Sequence, residues 1–385
     1  MGITIMVMLP LDDRLHRAVK LAIDSGEASS VAEAVLLFQS YRLGVHVGCD
    51  VARSASLQAA LLTAVNTGRR CFLGGVTIVA EPDLLNAPLL APWSGARTIG
   101  EAVIDLCGSI AKAARPDAPR IVIGNASIDG LRGRFAVRAT MNGWSAGVAP
   151  LESDIRLDER QECTPAGVLA GALAISDAFQ FVRGDTVDAG DRAIGMSLWR
   201  PAPEIDWRRV DPGPALADLP SRLWLIGLGH LGQAYLWTLG LLPYANANDV
   251  RLVLQDFDEL SEANDSTSPL TFPGLVGQKK TRAMAAWAER RGFNTTIVER
   301  RFAADFRVSG DEPRVALCGV DNPLARAALE DVGFDRVIEA GLGKGTREYL
   351  AMQIHAFPSA GRGARARWGG EPGNSLDSTA LLAKP

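Results

Sequence analysis

The sequence predicts an α/β fold of two Rossmann-like units, the second of which carries a nucleotide-binding turn that the first lacks. Three observations carry this. An apolar run at 223–226 leads directly into Gly227, Gly229 and Gly232, in G-x-G-x-x-G spacing. A second apolar run closes on Asp256, 24 residues after the last glycine. That is the separation of a ribose-binding carboxylate from the glycine turn in a nucleotide-binding βαβ unit. Finally, the first half echoes the second. VHVGCDVARSASLQAALL parallels LWLIGLGHLGQAYLWTLG, and RIVIGN parallels VALCGVDN.

In chain order, the opening MGITIMVM reads as a strand, because no basic segment or small-residue cleavage site marks it as a leader. Helices come next over 13–24 and 30–41, the second capped by Ser30 with Glu33 completing a capping box. VHVGCD is a strand, 56–66 a helix, and CFLGGVTIV, RIVIGN and FAVRATMNGW are further strands. A small-residue helix spans 164–182, with Thr164 as its cap and Pro165 at its first helical position. Five prolines within 201–220 make that stretch an extended connector. The units are therefore 1–200, a linker at 201–220, a nucleotide-binding unit at 221–358, and a Gly-, Arg- and Ser-rich tail at 359–385 that reads as mobile or ordered by a partner.

Composition narrows the function classes. A formal charge of −4 gives no basic footprint for nucleic acid. No uninterrupted run reaches the ~18 apolar residues of a membrane span. Five scattered cysteines, with no C-x-x-C pair, suit a reduced cytoplasmic setting and argue against a structural zinc site.

The residues beyond Asp256 distinguish the chemistry. Asp258, Asn264, Gly277, Lys280, Asp321 and Asn322 come in that order. This stretch resembles the adenylating domain of ubiquitin-activating enzymes and of the ThiF- and MoeB-like bacterial relatives that activate sulfur-carrier proteins. Their pattern runs D-x-D-x-V-x-x-S-N-L-N-R-Q, then G-x-x-K, then a strand ending in Asp. Asp256 and Asp258 fall on the two aspartates, Asn264 on the first asparagine, Lys280 on the lysine and Asp321 on the strand end. The resemblance covers roughly 220–357. It implies that the glycines admit ATP phosphates, Asp256 holds the ribose, Lys280 meets the phosphates and Asp321 binds Mg2+. Asp258, Asn264 and Asn322 complete the expected ATP site, with Lys280 and Asp321 as the catalytic pair. The family arginine that meets ATP phosphates falls on Thr267 and the glutamine after it on Ser268; Lys279, Lys280 and Arg282 are candidates to compensate. Arg14 and Arg17 are the candidates for an arginine reaching the ATP from the other unit.

Each residue also has a plainer reading. Asp256 suits a strand-end cap, Asp258 a solvated loop carboxylate, Asn264 a turn residue, Lys280 a solvated helix lysine, and Asp321 the cap of a helix starting near Pro323. Arg326 suits the surface or a phosphate equally, and His230 most simply a structural role. The five cysteines stand in apolar or strand contexts.

The resemblance implies ATP-dependent adenylation of the C-terminal carboxylate of a ubiquitin-like protein. The first unit would be a degenerate adenylation-like partner, in which Asn125 stands near where Asp321 does, and the tail a candidate crossover loop. A degenerate first unit favours the conjugation branch, with a ubiquitin-conjugating enzyme as onward partner. By analogy with bacterial conjugation operons, the setting would be antiphage defence. With no cysteine after Cys318, the expected product is an acyl-adenylate without an enzyme thioester, or else the native protein continues past Pro385. The rivals are a sulfur-carrier activator for thiamine or molybdopterin synthesis, an NAD(P)-dependent oxidoreductase, and a non-catalytic scaffold of the same fold.

Overall fold

Two parallel-rich sheets with one shared strand order frame the computed structural model, which describes residues 15–90, 95–127, 134–342, 352–359, 361 and 363–368. The opening strand expected at the N-terminus, Arg14, and the tail beyond 368 lie outside these residues. In the first half, α1 (Arg17–Asp24) and α2 (Val31–Ser40) precede β1 (Leu43–Val47). Then come α3 (Ala55–Gly68), β2 (Val76–Val79), α4 (Pro82–Leu85), α5 (Ile99–Asp105), β3 (Ser109–Ile110), β4 (Arg120–Ile123), β5 (Ala136–Asn142), β6 (Ser145–Pro150), α6 (Thr164–Arg183) and β7 (Ile194–Ser197). The second half runs β8 (Arg222–Ile226), α7 (His230–Gly240), β9 (Arg251–Gln255), α8 (Glu262–Asp265), α9 (Lys280–Arg290), β10 (Asn294–Val298), β11 (Val315–Cys318), α10 (Pro323–Ala327), β12 (Arg336–Leu342), β13 (Met352–Phe357) and α11 (Ala364–Trp368).

The first sheet is ordered β3-β2-β1-β4-β5-β6-β7 and the second β10-β9-β8-β11-β12-β13. Position for position this is the doubly wound order, third strand to sixth, with the first strand central. In each sheet the fifth and sixth strands pair antiparallel, β5 with β6 and β12 with β13. The sequence echo therefore falls on equivalent places, β1 with β8 at the centre and β4 with β11 beside them.

Some local expectations needed correction. Ser30 caps α2 by accepting from Glu33 N at 3.2 Å, but the Glu33 carboxylate accepts from Ser29 N at 2.8 Å, one residue early. Cys163, not Thr164, is the N-cap of α6, and it makes no side-chain cap bond. β6, SAGVAP, gives no strand signal because its residues are small. The cause is tertiary: a Cβ on Gly147 would lie 2.4 Å from Ile194 O and 2.7 Å from Trp207. The connector is also less free than its prolines suggest, since Pro212 O and Pro214 O both accept from Trp144 at 2.8 Å. In the tail, α11 docks on α10, Arg365 pairing with Asp331 at 2.7 Å.

The halves meet through α3, whose residues from Ser56 to Asn66 are all buried. A helix buried all round needs partners for its polar groups. This one, lying between its own sheet, α6 and the second half, has them at Gln58, Thr63 and Asn66. Backbone touches backbone at α6: a Cβ on Gly167 would stand 2.0 Å from Ser56 O, and one on Gly171 2.4 Å from Ala60 O. This explains why α6, whatever the run-length expectation, has the length and hydropathy of a membrane span while half of it is buried in the fold. Across the junction, Trp237 Nε1 on α7 donates to Thr63 Oγ1 at 3.0 Å. Asn66 Nδ2 and Arg70 Nη2 both reach Pro269 O at 3.0 Å, and Arg69 Nη2 reaches Asp265 Oδ1 at 2.8 Å. One hydrophobic cluster runs through both halves.

Candidate functional site

A cleft of about 1210 Å³ opens at the carboxyl ends of β8, β9 and β11. This is where the strand order reverses and where open α/β sheets take ligands. The three glycines of the turn do different work, and of them Gly227 and Gly229 line the cleft. Gly227 has φ 82°, and a Cβ there would sit 2.8 Å from Val320. Gly232 lets α7 close on the turn, since a Cβ would come 1.9 Å from Gly227 O. A Cβ on Gly229 would meet nothing within 4 Å, because that position faces the cleft. Sequence spacing singled out all three, and the geometry separates a strained turn, a packing contact and an open approach for a phosphate at a helix N-terminus.

Asp256, buried at the end of β9, accepts from Leu228 N at 2.7 Å and from Asp258 N at 2.9 Å. The carboxylate thus ties the glycine turn to its own strand end. Each oxygen has a second lone pair, so a ribose hydroxyl can still be accepted. Asp258, more exposed, pairs with Lys280 at 3.2 Å. Lys280 begins α9, and its backbone N also holds Asp258 O at 3.1 Å. Asn264 lines the cleft but spends its Oδ1 on Ser261, accepting from Ser261 N at 2.9 Å in the capping box of α8.

Asn322, expected in the ATP site, takes the capping role that the plainer reading gave to Asp321. The cap of α10 is Asn322, whose Oδ1 accepts from Leu324 N at 2.9 Å and Ala325 N at 3.1 Å. Asp321 is not the cap. It stands exposed on the cleft wall, with no hydrogen bond or ion pair to any described residue. A single uncommitted carboxylate fits a Mg2+ that takes its other ligands from phosphate oxygens and water.

Arg17 is brought to the same cleft from the other half. Its backbone N donates to Ser266 Oγ at 2.9 Å, which seats the start of α1 against the second half. Its guanidinium makes no bond or ion pair to the described residues and lines the cleft. Of the cations expected to compensate at Thr267, Arg282 is held by Glu299 at 2.8 Å and Lys279 by Phe257 O at 3.0 Å. Thr267 and Ser268 do not border the cleft. His230, the first residue of α7, is solvent-accessible yet crowded by the cleft walls. Desolvation lowers its pKa against the pull of nearby Asp321, and Arg17 and Lys280 lower it further.

Two contributors had no signal in the sequence. Arg301 lies 4.3 Å over the ring of Phe257, and both line the cleft. Residues 44 apart are joined here only because β9 and β10 are neighbours. Arg326, expected at the surface or near phosphate, is at neither place. It is tucked behind the wall with 12% exposure, against Glu339.

At the equivalent strand end the first half has a different turn. A 3-10 turn, Cys49–Arg53, stands where the second half has its glycine turn. Asp50 Oδ1 accepts from Asn125 N at 2.9 Å, and Arg156 spans Asp50 at 3.3 Å and Glu159 at 2.6 Å. The thiols also needed correction. Cys163 and Cys318 are buried, which pushes their pKa values up to about 11 and about 12, whereas Cys49 and Cys107 are exposed.

Two family models match this chain: the BilD N-terminal domain over residues 42–198 and the BilD C-terminal domain over residues 219–383. The bacterial E1-like protein BilD of Collimonas sp. (strain OK412) is 45% identical over 347 residues, 90% of this chain and 74% of that protein. Among solved structures, E. coli tRNA N6-threonylcarbamoyladenosine dehydratase, TcdA, in complex with ATP is 18% identical over 29% of this chain and 45% of its own, with a TM-score of 0.26. E. coli MccB with succinimide is 15% identical over 32% of this chain and 37% of its own, with a TM-score of 0.27. The chain thus spans under half the length of either solved structure.

Proposed function

The chain belongs to the BilD family of bacterial E1-like proteins, and from that premise we propose that it adenylates the C-terminal carboxylate of a ubiquitin-like protein. The observation that carries the reading is the convergence of Gly229, Lys280 and Asp321 with Arg17 of the other half on one cleft. A dinucleotide site needs only the strand-end carboxylate, so the uncommitted Asp321 beside two cations favours a nucleoside triphosphate with its metal.

In the proposed reaction a carboxylate oxygen of the partner attacks the α-phosphorus of ATP. The bond between that phosphorus and the bridging oxygen breaks, and pyrophosphate leaves. No proton needs moving, so the protein's contribution is positioning and charge compensation. Gly227 and Gly229 let the backbone approach the phosphates, and Asp256 receives the ribose. Lys280 exchanges Asp258 for phosphate oxygens, and Arg17 covers the phosphates from the far side. Asp321 would hold Mg2+, which neutralises phosphate charge when bound. The different turn in the first half and the pairing of its Asp50 with Arg156 support its role as a non-catalytic partner that supplies Arg17 and braces the junction.

Onward transfer to a ubiquitin-conjugating enzyme, and a setting in antiphage defence, are part of the proposal and rest on family resemblance. ATP–pyrophosphate exchange with a panel of ubiquitin-like proteins tests the reaction. Lys280→Ala and Asp321→Ala should each abolish exchange with folding intact. Normal exchange in both variants would place the chemistry elsewhere.

A further inference from the structure

Behind the cleft wall lies a buried ionic network that the proposed reaction does not use. Arg326 Nε on α10 donates to Val320 O at 2.7 Å, the carbonyl immediately before Asp321. Arg326 Nη1 lies 3.2 Å from Glu339 Oε1, a charge contact off the line of a hydrogen bond. Glu339, fully buried on β12, has its other oxygen 2.6 Å from His355 Nδ1 on the paired strand β13. The guanidinium stacks over Trp368 of α11 at 4.8 Å. It also packs against Gly341, where a Cβ would come 3.1 Å from Nη2. The guanidinium is therefore confined on several sides.

The turn from β11 to α10 consists of Gly319, Val320 and Asp321, with Asn322 capping the helix. One end is pinned by Gly319 N to Ile226 O at 2.9 Å, the other by the Asn322 cap. Its middle carbonyl is held by Arg326. Because Glu339 neutralises Arg326 locally, the guanidinium adds little field at the cleft and much constraint on the turn.

We propose that Arg326 is a positioning residue that fixes this turn and so aims the Asp321 carboxylate at a divalent cation shared with the nucleotide phosphates. The inference rests on the reading of Asp321 given above. Partners one shell out from a metal ligand set its orientation, and their loss weakens metal binding even though they never touch the ion.

The test is calorimetric titration of Mn2+ into the full chain, with a non-hydrolysable ATP analogue present. Wild type is compared with Asp321→Asn, Arg326→Lys and the double variant Arg326→Gln/Glu339→Gln. The double variant removes the buried carboxylate together with its partner, so no unpaired charge is left to unfold the domain. The expected result is a loss of Mn2+ affinity of about tenfold in the double variant, the scale typical of a lost outer-shell partner. Affinity for the metal-free analogue should be unchanged. Arg326→Lys keeps the charge but not the Nε–H aimed at Val320 O, so it should lose Mn2+ affinity too. If Asp321→Asn weakens Mn2+ binding while the double variant binds as wild type, positioning is wrong and the site reading stands. A double variant that loses metal-free analogue binding in parallel overturns positioning as well. If Asp321→Asn itself leaves Mn2+ affinity unchanged, the site reading falls, and the inference with it.

Discussion

At the residue scale, glycines with the same sequence signature are predicted to fail in different ways. Gly229 has an ordinary negative φ and open space where a Cβ would go. Gly229→Ala should therefore keep wild-type stability and lose nucleotide binding, as read by paired thermal melts and ATP calorimetry. Gly232→Ala must displace the Gly227 carbonyl, and should cost about 1–3 kcal/mol of stability by overpacking. Equal melting temperatures for the two variants would contradict this division. Asp177 gives a pH test away from the cleft. Its carboxyl on α6 is 1% exposed and accepts from Gly190 N at 3.0 Å, and burial raises its pKa from 3.8 to about 6. The charged form is disfavoured in the fold, so the contribution to stability is fullest below 3.8 and is lost as the pH rises to about 6. Asp177→Asn keeps the acceptor for Gly190 N and removes the titration. Its advantage over wild type should grow through that window to roughly 2 kcal/mol near neutrality. A difference in stability independent of pH would show that Asp177 does not titrate in this range.

Elements here are shaped by what they touch as much as by their own periodicity. The contact between α3 and α6 depends on glycines that bring the two backbones together. Gly171→Leu on α6 should push the helices apart and cost about 2 kcal/mol or more, since nothing near Ala60 O can yield without backbone movement. Denaturant titration reads this directly, and a loss below about 0.5 kcal/mol, the scale of a neutral surface change, would show that the packing is loose. The loop from α8 toward α9 is shaped in the same way from outside. Its carbonyls at 265, 269 and 271 are held by side chains of α3 and the turn just after it, so the segment carrying Asn264 takes its form from the other half of the chain.

Across the whole molecule, the first half acts as a brace that reaches the second half's cleft. Burial lowers the Arg70 pKa from 12.5 to about 9, and the guanidinium remains tied to Asp265, Asn66, Pro269 and Thr271. Arg70→Ala would take the side-chain donor from Asp265 O at a cost of about 1–3 kcal/mol, while Arg69 still holds the Asp265 carboxylate and Thr271 O and Asn66 still holds Pro269 O. Arg17→Ala has no such structural debt, because its guanidinium pairs with none of the described residues. It should leave the melting temperature unchanged and lower pyrophosphate exchange by about a hundredfold to a thousandfold, the range for losing one charge-stabilising donor. Exchange at the wild-type rate would remove the first half from the proposed reaction.

Taken alone, the amino-acid order determines features that are local and short in range. G-x-G-x-x-G after an apolar run requires a tight turn and a helix start, and the 24-residue spacing brings Asp256 beside it. Lys280 and Asp321 were singled out by resemblance to a family pattern, and both line the cleft, while the echo between β1 and β8 falls on equivalent strands. Other features depended on partners distant in the chain, which no spacing encodes. That Asn322 rather than the expected Asp321 caps α10 turned on the path of three backbone residues. Arg326 was drawn behind the wall by a glutamate on β12. The strand at β6, with its small residues, exists because Trp207 and β7 press on it. Arg17 reaches the cleft only because α1 is seated on Ser266, a residue 249 positions away. Periodicity and turn chemistry act over a few residues and can be read in order, whereas the final site is assembled by packing two halves whose contacts appear only once the chain has closed on itself.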